Sequence, residues 1–439
     1  MLVFRPIVPP ETEERFARAG AAACLLIADP KSWINRRVET VELLSREETR
    51  RRVSIDFTLS DAQLASLWVD GEGAVVPISA LTKERRRTFD LCDEGGSAVP
   101  VLGFQQNGDL SLTALLSAAL VARPPGVPDK QFDSLVPELR AIVFDRPSAA
   151  RAAYRGLAGR AAVTGSWEER LHADPVFRSL IDTLWGNYVL FAVLPRGGPN
   201  RRILKYGYSE DVDLSPVVRS LRARVRTPEL RRELVGAIRY PDRQDFHIPF
   251  PGAWRARSFH AEIVIPEQLR FGDAVLQDFA DGCRDISESE QDVNRAALHA
   301  TDGVEPAQDV AAVVQIAPEP GGRTAQASFT SVVVAVMLWL GVRSGLDARN
   351  PDATVSIVLG GAALFAGVSA VLGESRLVST IFKTTRRWLT VVTISALAGS
   401  ASLALEMPSD RPVSIWLMSA IVCTLAAMRL TWSALRAGA

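Results

Sequence analysis

The residues best placed to do chemistry are His260 and Glu262, in the run Ser-Phe-His-Ala-Glu-Ile at Ser258–Ile263. Alternate residues of a strand point to one side, so an imidazole and a carboxylate spaced by two could share a proton or coordinate one ion. His247, in Asp245-Phe246-His247, completes a three-ligand metal set of His260, Glu262 and His247 if the intervening chain folds back. With only four histidines in the chain, any metal or acid–base site must draw on these or on carboxylates alone. The plainer reading is an edge-strand His–Glu pair facing water.

A second acidic group, Glu210-Asp211-Val212-Asp213, follows the extended run Tyr206-Gly207-Tyr208-Ser209. A D-x-D after a strand can hold a divalent cation, but here the same acids also suit a helix start. Arginines follow at 219, 222, 224, 226, 231, 232 and 239. Beside a bilayer they would attract anionic lipid headgroups, whereas with Glu229 and Glu233 among them they read as a solvated mixed-charge helix.

The strong enzymatic signatures are missing: no G-x-x-x-x-G-K-[ST], H-E-x-x-H, G-x-S-x-G or full G-x-G-x-x-G occurs. Gly71-Glu72-Gly73 lacks a third glycine and reads as a hairpin turn. No cofactor is implied and no catalytic residue is assigned, which leans against an enzyme. The balance of 50 basic and 50 acidic residues lacks the electrostatic footprint of a nucleic-acid binder. The four cysteines are far apart and form no C-x-x-C pair, so neither a disulfide framework nor a zinc knuckle is expected.

The elements that would position these groups follow from periodicity. In Arg51–Leu59, Val53, Ile55, Phe57 and Leu59 share one face of a half-buried strand, with Ile34–Leu44 as its pairing partner. Thr88–Val101 reads as a hairpin about Asp93-Glu94-Gly95-Gly96. Helical spacing follows at Leu110–Ala122, with Asn107-Gly108-Asp109 before it as the cap, and at Phe132–Phe144, Ser148–Leu157 and Pro175–Leu184. Strand-like runs return at Asn187–Leu194, Arg201–Tyr208, Phe259–Ile265 and Asp309–Ala317. The polar, acidic stretch Gly282–Val304 reads as a loop. The expected fold class is an α+β soluble domain over residues 1–320, β-rich at its ends and helical in its middle, with a β-sandwich carrying a helical insertion as one arrangement that fits.

Beyond residue 323 the composition turns apolar. Four stretches without a charged side chain, 324–342, 354–373, 388–405 and 412–428, approach the roughly 20 residues a helix needs to cross a bilayer. They predict a four-helix transmembrane bundle over 324–430, with a tail at 431–439. The start of the chain, broken by Arg5 and three prolines, lacks the core of a signal peptide. Arg376, Lys383, Arg386 and Arg387 between the second and third stretches, and Arg429 and Arg436 at the end, place the N-terminus and C-terminus in the cytoplasm of a multi-pass cell-membrane protein. Small residues such as Gly360, Gly361, Gly367 and Gly399 suit close helix packing or a homo-oligomer. Trp388, Trp416 and Trp432 suit the headgroup level.

The run Phe89–Leu102, the segment Ser258–Ile263 and the four-helix end resemble an uncharacterised family of actinobacterial integral membrane proteins with a large N-terminal soluble domain. That resemblance implies the layout and transfers no functional residue. The functional expectation is a membrane-anchored cytoplasmic binding or sensory module. A ligand-gated pore made by oligomerised helices and a metal-dependent enzyme at His260 and Glu262 stand as alternatives.

Overall fold

Alternation and turn chemistry build three sheets in the computed structural model. It describes residues 10–45, 47–71, 73–83, 86–211, 244–279, 284–300, 304, 310–319, 322–343, 376–404 and 410–438. Helix α1 (Pro10–Ala28) precedes strands β1 (Ile34–Leu43) and β2 (Glu48–Thr58), which pair antiparallel with Val41 opposite Arg51. The short helix α2 (Asp61–Ser66) is held by a capping box, Ser60 accepting from the Gln63 amide while Gln63 accepts from the Ser60 amide. Strands β3 (Trp68–Val69) and β4 (Gly73–Thr82) then form the hairpin expected at Gly71, which adopts φ +83°. Strand β5 (Arg86–Asp93) closes this first β-rich part.

The middle is helical, as expected: α3 (Phe104–Ala122), α4 (Asp129–Asp133), α5 (Val136–Phe144), α6 (Pro147–Ala161), α7 (Trp167–Ala173) and α8 (Pro175–Leu184). Helix α3 begins six residues before the expected Leu110, because Asn107 is not a cap. Its buried side chain donates to Leu102 O at 2.6 Å and accepts from the Phe191 amide at 2.8 Å, tying the helix to a strand. Strands β6 (Asn187–Leu194) and β7 (Arg201–Asp211) follow, then β8 (Gln244–Pro249), β9 (Ser258–Val264) and β10 (Leu269–Asp278). The stretch expected to be a loop instead contains β11 (Arg284–Asp285), β12 (Ser287–Gln291) and β13 (Arg295–Ala300). In β13 the alternation Ala296, Leu298, Ala300 is buried, a pattern of small residues too faint to stand out amid acids. Strand β14 (Val310–Pro318) ends the domain.

The large sheet runs β12-β13-β9-β1-β2-β7-β5, antiparallel throughout except for the β1–β9 pair. A four-stranded sheet, β11-β10-β14-β8, and a three-stranded one, β3-β4-β6, complete the mixed α+β fold. Two cores lie on the inner side of the large sheet. One joins Ile55, Phe57 and Tyr206 to the helices and the small sheet. The other joins Val41, Leu43, Phe259 and Ile263 to Phe246, Ile248 and Leu276 of the second sheet.

The four-helix transmembrane bundle does not hold. Two of the described helices are long and apolar enough to cross a membrane: α9 (Arg323–Arg343) and the 414–435 part of α12 (Asp410–Gly438). Stretch 354–373 lies outside the described residues. Stretch 388–405 overlaps α11 (Lys383–Ala404), which follows the short helix α10 (Arg376–Ile381) and is not one of those two. Its first turns carry Lys383, Arg386 and Arg387. Stretch 412–428 is part of one helix that continues through most of the expected tail.

Helices α9 and α12 run antiparallel, with Ser328 Oγ 2.7 Å from Thr431 Oγ1 and Trp339 Nε1 donating to Thr424 Oγ1 at 2.9 Å. Trp416 is 3 % exposed and packs on Gly341, where a Cβ would come within 2.1 Å of its ring, so it is an interhelical residue and not a headgroup anchor. Helix α10 packs on the α+β part: Leu377, Val378 and Ile381 are buried in its second core.

Candidate functional site

The inner face of the large sheet changes character where its two cores meet. On β1 the inward positions are Arg37, Glu39, Val41 and Leu43, and on β2 they are Thr49, Arg51, Val53, Ile55 and Phe57. Three charged side chains thus occupy positions that the strand period assigns to the interior. Arg37 is 5 % exposed, Glu39 1 % and Arg51 2 %. Burial of charge is tolerated only with partners, and here the partners form a chain. Arg37 Nε and Nη2 donate to Glu39 Oε2 at 3.2 and 2.9 Å. Glu39 Oε1 accepts from Arg51 Nη1 at 2.6 Å, and Arg51 Nη2 donates to Pro249 O at 3.0 Å. Arg51 Nε pairs with Glu210 Oε1 at the end of β7.

Burial by itself would raise the Glu39 carboxyl, but Arg37 and Arg51 outweigh it and hold the group below the usual carboxylate range. The Tyr208 hydroxyl moves the other way, pushed up by burial. The chain of ion pairs runs from Arg37 through Glu39 and Arg51 to Glu210.

This chain faces a cavity of about 440 Å³ lined by Arg37, Glu39, Arg51, Tyr208, Glu210 and His247, among others. One wall is the β8 end and the turn at Gly252, where a Cβ would come within 2.9 Å of Arg37 Cζ, so glycine lets the backbone close on the guanidinium. A larger and more open hollow of about 630 Å³ lies on the outer face, beside the bulge where Thr88 adopts φ 51°. Its cations, Arg50, Arg52 and Lys205, are exposed, so it lacks the buried charge that marks the inner cavity.

The sequence-predicted metal candidates separate. His260 and Glu262 do share the outer face of β9. His260 stacks on His299 of β13, ring centroids 4.1 Å apart, and its Nε2 lies 3.1 Å from Ser258 Oγ. Glu262 accepts from Thr40 Oγ1 at 2.9 Å and pairs with Arg295. His247 sits on the second sheet opposite Val313, its ring edge-on to Phe279 at 4.5 Å, and lines the inner cavity. Among the described residues no three His, Cys, Asp or Glu side chains gather as a metal site. Asp213 and the arginines from 219 to 239 lie outside the described residues.

No family model and no curated protein matches this chain. Its site is therefore read from its own chemistry. Arg37, Glu39 and Arg51 escaped attention in the sequence although a signal was present: each stands in phase with the apolar positions of its own strand. Glu210 was legible as part of an acidic group, but its bond to Arg51 joins positions 159 residues apart.

Proposed function

We propose that this protein is a membrane-anchored binding or sensory module whose soluble domain takes a small ligand in the cavity between Arg37 and Glu210. The observation that carries the reading is the buried chain of four charges facing a space of about 440 Å³, within the size range of small-molecule sites. Side chains held in ion pairs at 1–13 % exposure are preorganised, so a ligand would meet fixed charges.

The anchor is multi-pass and sits in the cell membrane with both termini in the cytoplasm. Supporting this, the antiparallel α9 and α12 bring Arg323 to the same side as Arg429 and Arg436, the side that positive charge marks as cytoplasmic. The soluble domain then lies inside the cell, in reach of cytoplasmic metabolites.

Carbonate extraction and protease protection of the full chain test the reading. The chain should stay with the membrane at high pH, and the domain should resist protease added to spheroplasts but be digested in inverted vesicles. Release by carbonate, or cleavage of the domain from outside, would refute it.

A further inference from the structure

The ion-pair chain leaves a surplus of positive charge at one end. Arg255, on the short turn Ala253–Arg255, is 6 % exposed. Its Nη2 donates to Thr183 Oγ1 at 3.4 Å and its guanidinium lies 5.0 Å over the Trp254 ring. No carboxylate pairs with it among the described residues. A guanidinium carries five N–H donors, so one long bond leaves most of its capacity unused.

Burial and the neighbouring Arg37 charge together pull Arg255 down to about 10, which still leaves it a cation at neutral pH. Arg37 is also incompletely used: Nε and Nη2 both go to Glu39, and Nη1 has no partner among the described residues. Among the described residues, the buried guanidinium groups of Arg37 and Arg51, with Arg255 behind the cavity wall, are thus matched by two paired carboxylates, those of Glu39 and Glu210. A buried cation without a counter-charge is costly unless something supplies one.

We infer that the cavity receives an oxyanion, a phosphate or carboxylate group of its ligand, at the Arg37 end, with Arg37 Nη1 as the donor and Arg255 as the second positive charge behind it. Arginine suits this task because its fork matches both groups and its charge is fixed. The inference rests on the proposed binding role of the cavity and names the chemistry that the cavity takes.

The opposite end has the opposite need. Glu210, 13 % exposed in its side chain, gives Oε1 to Arg51, and its Oε2 has no partner among the described residues. This end would meet positive charge, either an ammonium on the same molecule or a divalent cation accompanying a phosphate.

Thermal unfolding of the full chain in lipid nanodiscs, followed by tryptophan fluorescence, tests the assignment with inorganic phosphate, phosphate plus Mg²⁺, glycine as a small zwitterion, and putrescine as a purely cationic control. Phosphate or glycine should raise the midpoint in a saturable way. A gain on adding Mg²⁺ to phosphate marks the metal source of positive charge, and a preference for glycine marks the ammonium. Arg255→Met should raise the ligand-free midpoint, by removing an uncompensated cation, and weaken oxyanion binding at least tenfold.

Arg37→Lys, which keeps charge but loses the fork, should also weaken binding at least tenfold. A lower ligand-free midpoint in Arg255→Met, the mark of a merely structural cation, would overturn the inference, as would unchanged oxyanion affinity in that variant. Saturable stabilisation by putrescine alone would also overturn it while leaving the binding role of the cavity intact. Silence from all four probes would remove both.

Discussion

Replacing Glu39 by glutamine should unfold much of what the ion-pair chain holds. The carboxylate is 1 % exposed and takes three N–H bonds, two from Arg37 and one from Arg51. Removing one partner of a buried pair costs about 3–5 kcal/mol, because the charges left behind stay buried. Glutamine keeps one acceptor oxygen and nearly the same volume, which places Glu39→Gln near the lower end, at about 3 kcal/mol. That is a factor of about 150 in the ratio of folded to unfolded chain.

Urea unfolding of the full chain in detergent micelles measures it, as a lower midpoint at unchanged slope. The sharper comparison is the triple replacement Arg37→Met, Glu39→Leu, Arg51→Met, which removes the buried charges together and leaves Glu210 at 13 % exposure, where water reaches it. Since apolar groups can replace a buried ion network at little cost or with a gain of about 1–4 kcal/mol, the triple variant should be more stable than the single one. A Glu39→Gln midpoint within about 1 kcal/mol of the parent, or a triple variant no better than the single, would refute this account.

Acid should act through the same residue. Because the folded-state Glu39 carboxyl lies below its ordinary range, its contribution is full above about pH 4.3 and is lost as pH falls through the folded value. Stability of the parent should then drop more steeply below about pH 4 than that of Glu39→Gln, and parallel curves would count against it.

His260 makes a contribution in a different window. Burial, then His299 and Arg36, depress its imidazole, so the unfolded chain takes up the proton first. Stability should fall as pH drops below about 6.5 and level off once the folded ring protonates, and His260→Gln should flatten that step in a midpoint series from pH 5 to 8. Between α9 and α12, Gly341→Ala places a methyl group 2.1 Å from the Trp416 ring, so thermal stability in detergent should fall by about 1–3 kcal/mol. Adding Trp416→Leu should recover part of the loss, and additive losses would show that the two residues do not touch.

Much of the local architecture was legible because it is written at short range. The two-residue alternation in Val53, Ile55 and Phe57 sets a half-buried strand, and Asp174-Pro175 sets the start of α8, whose cap accepts from the Phe177 amide at 2.8 Å. The elements that escaped carry weak local signals. Helix α1 hides its buried Ala19, Ala23 and Ile27 behind a charged first turn, and β13 buries little more than alanine and leucine.

The C-terminal helices show the same limit. Apolar content by itself predicts four spans, whereas among the described residues two helices, α9 and the 414–435 part of α12, are long and apolar enough to cross a membrane. The Trp416 ring is buried between helices instead of resting at the headgroups, because Gly341 leaves room for it.

The candidate site was legible only in fragments. By itself the sequence determined which residues alternate on each strand and that Glu39 and Arg51 fall in phase with apolar neighbours. Those properties depend on spacings of two to four residues and on composition. Only the tertiary structure decided that Arg37, Glu39, Arg51 and Glu210 form one chain of ion pairs, that His247 joins their cavity while His260 and Glu262 face outward, and that Arg255 comes near Arg37 with no acid of its own among the described residues. These groups come from strands and turns up to more than 200 positions apart, and what they can do depends on burial and on which partner fills each bond, properties that no local spacing encodes.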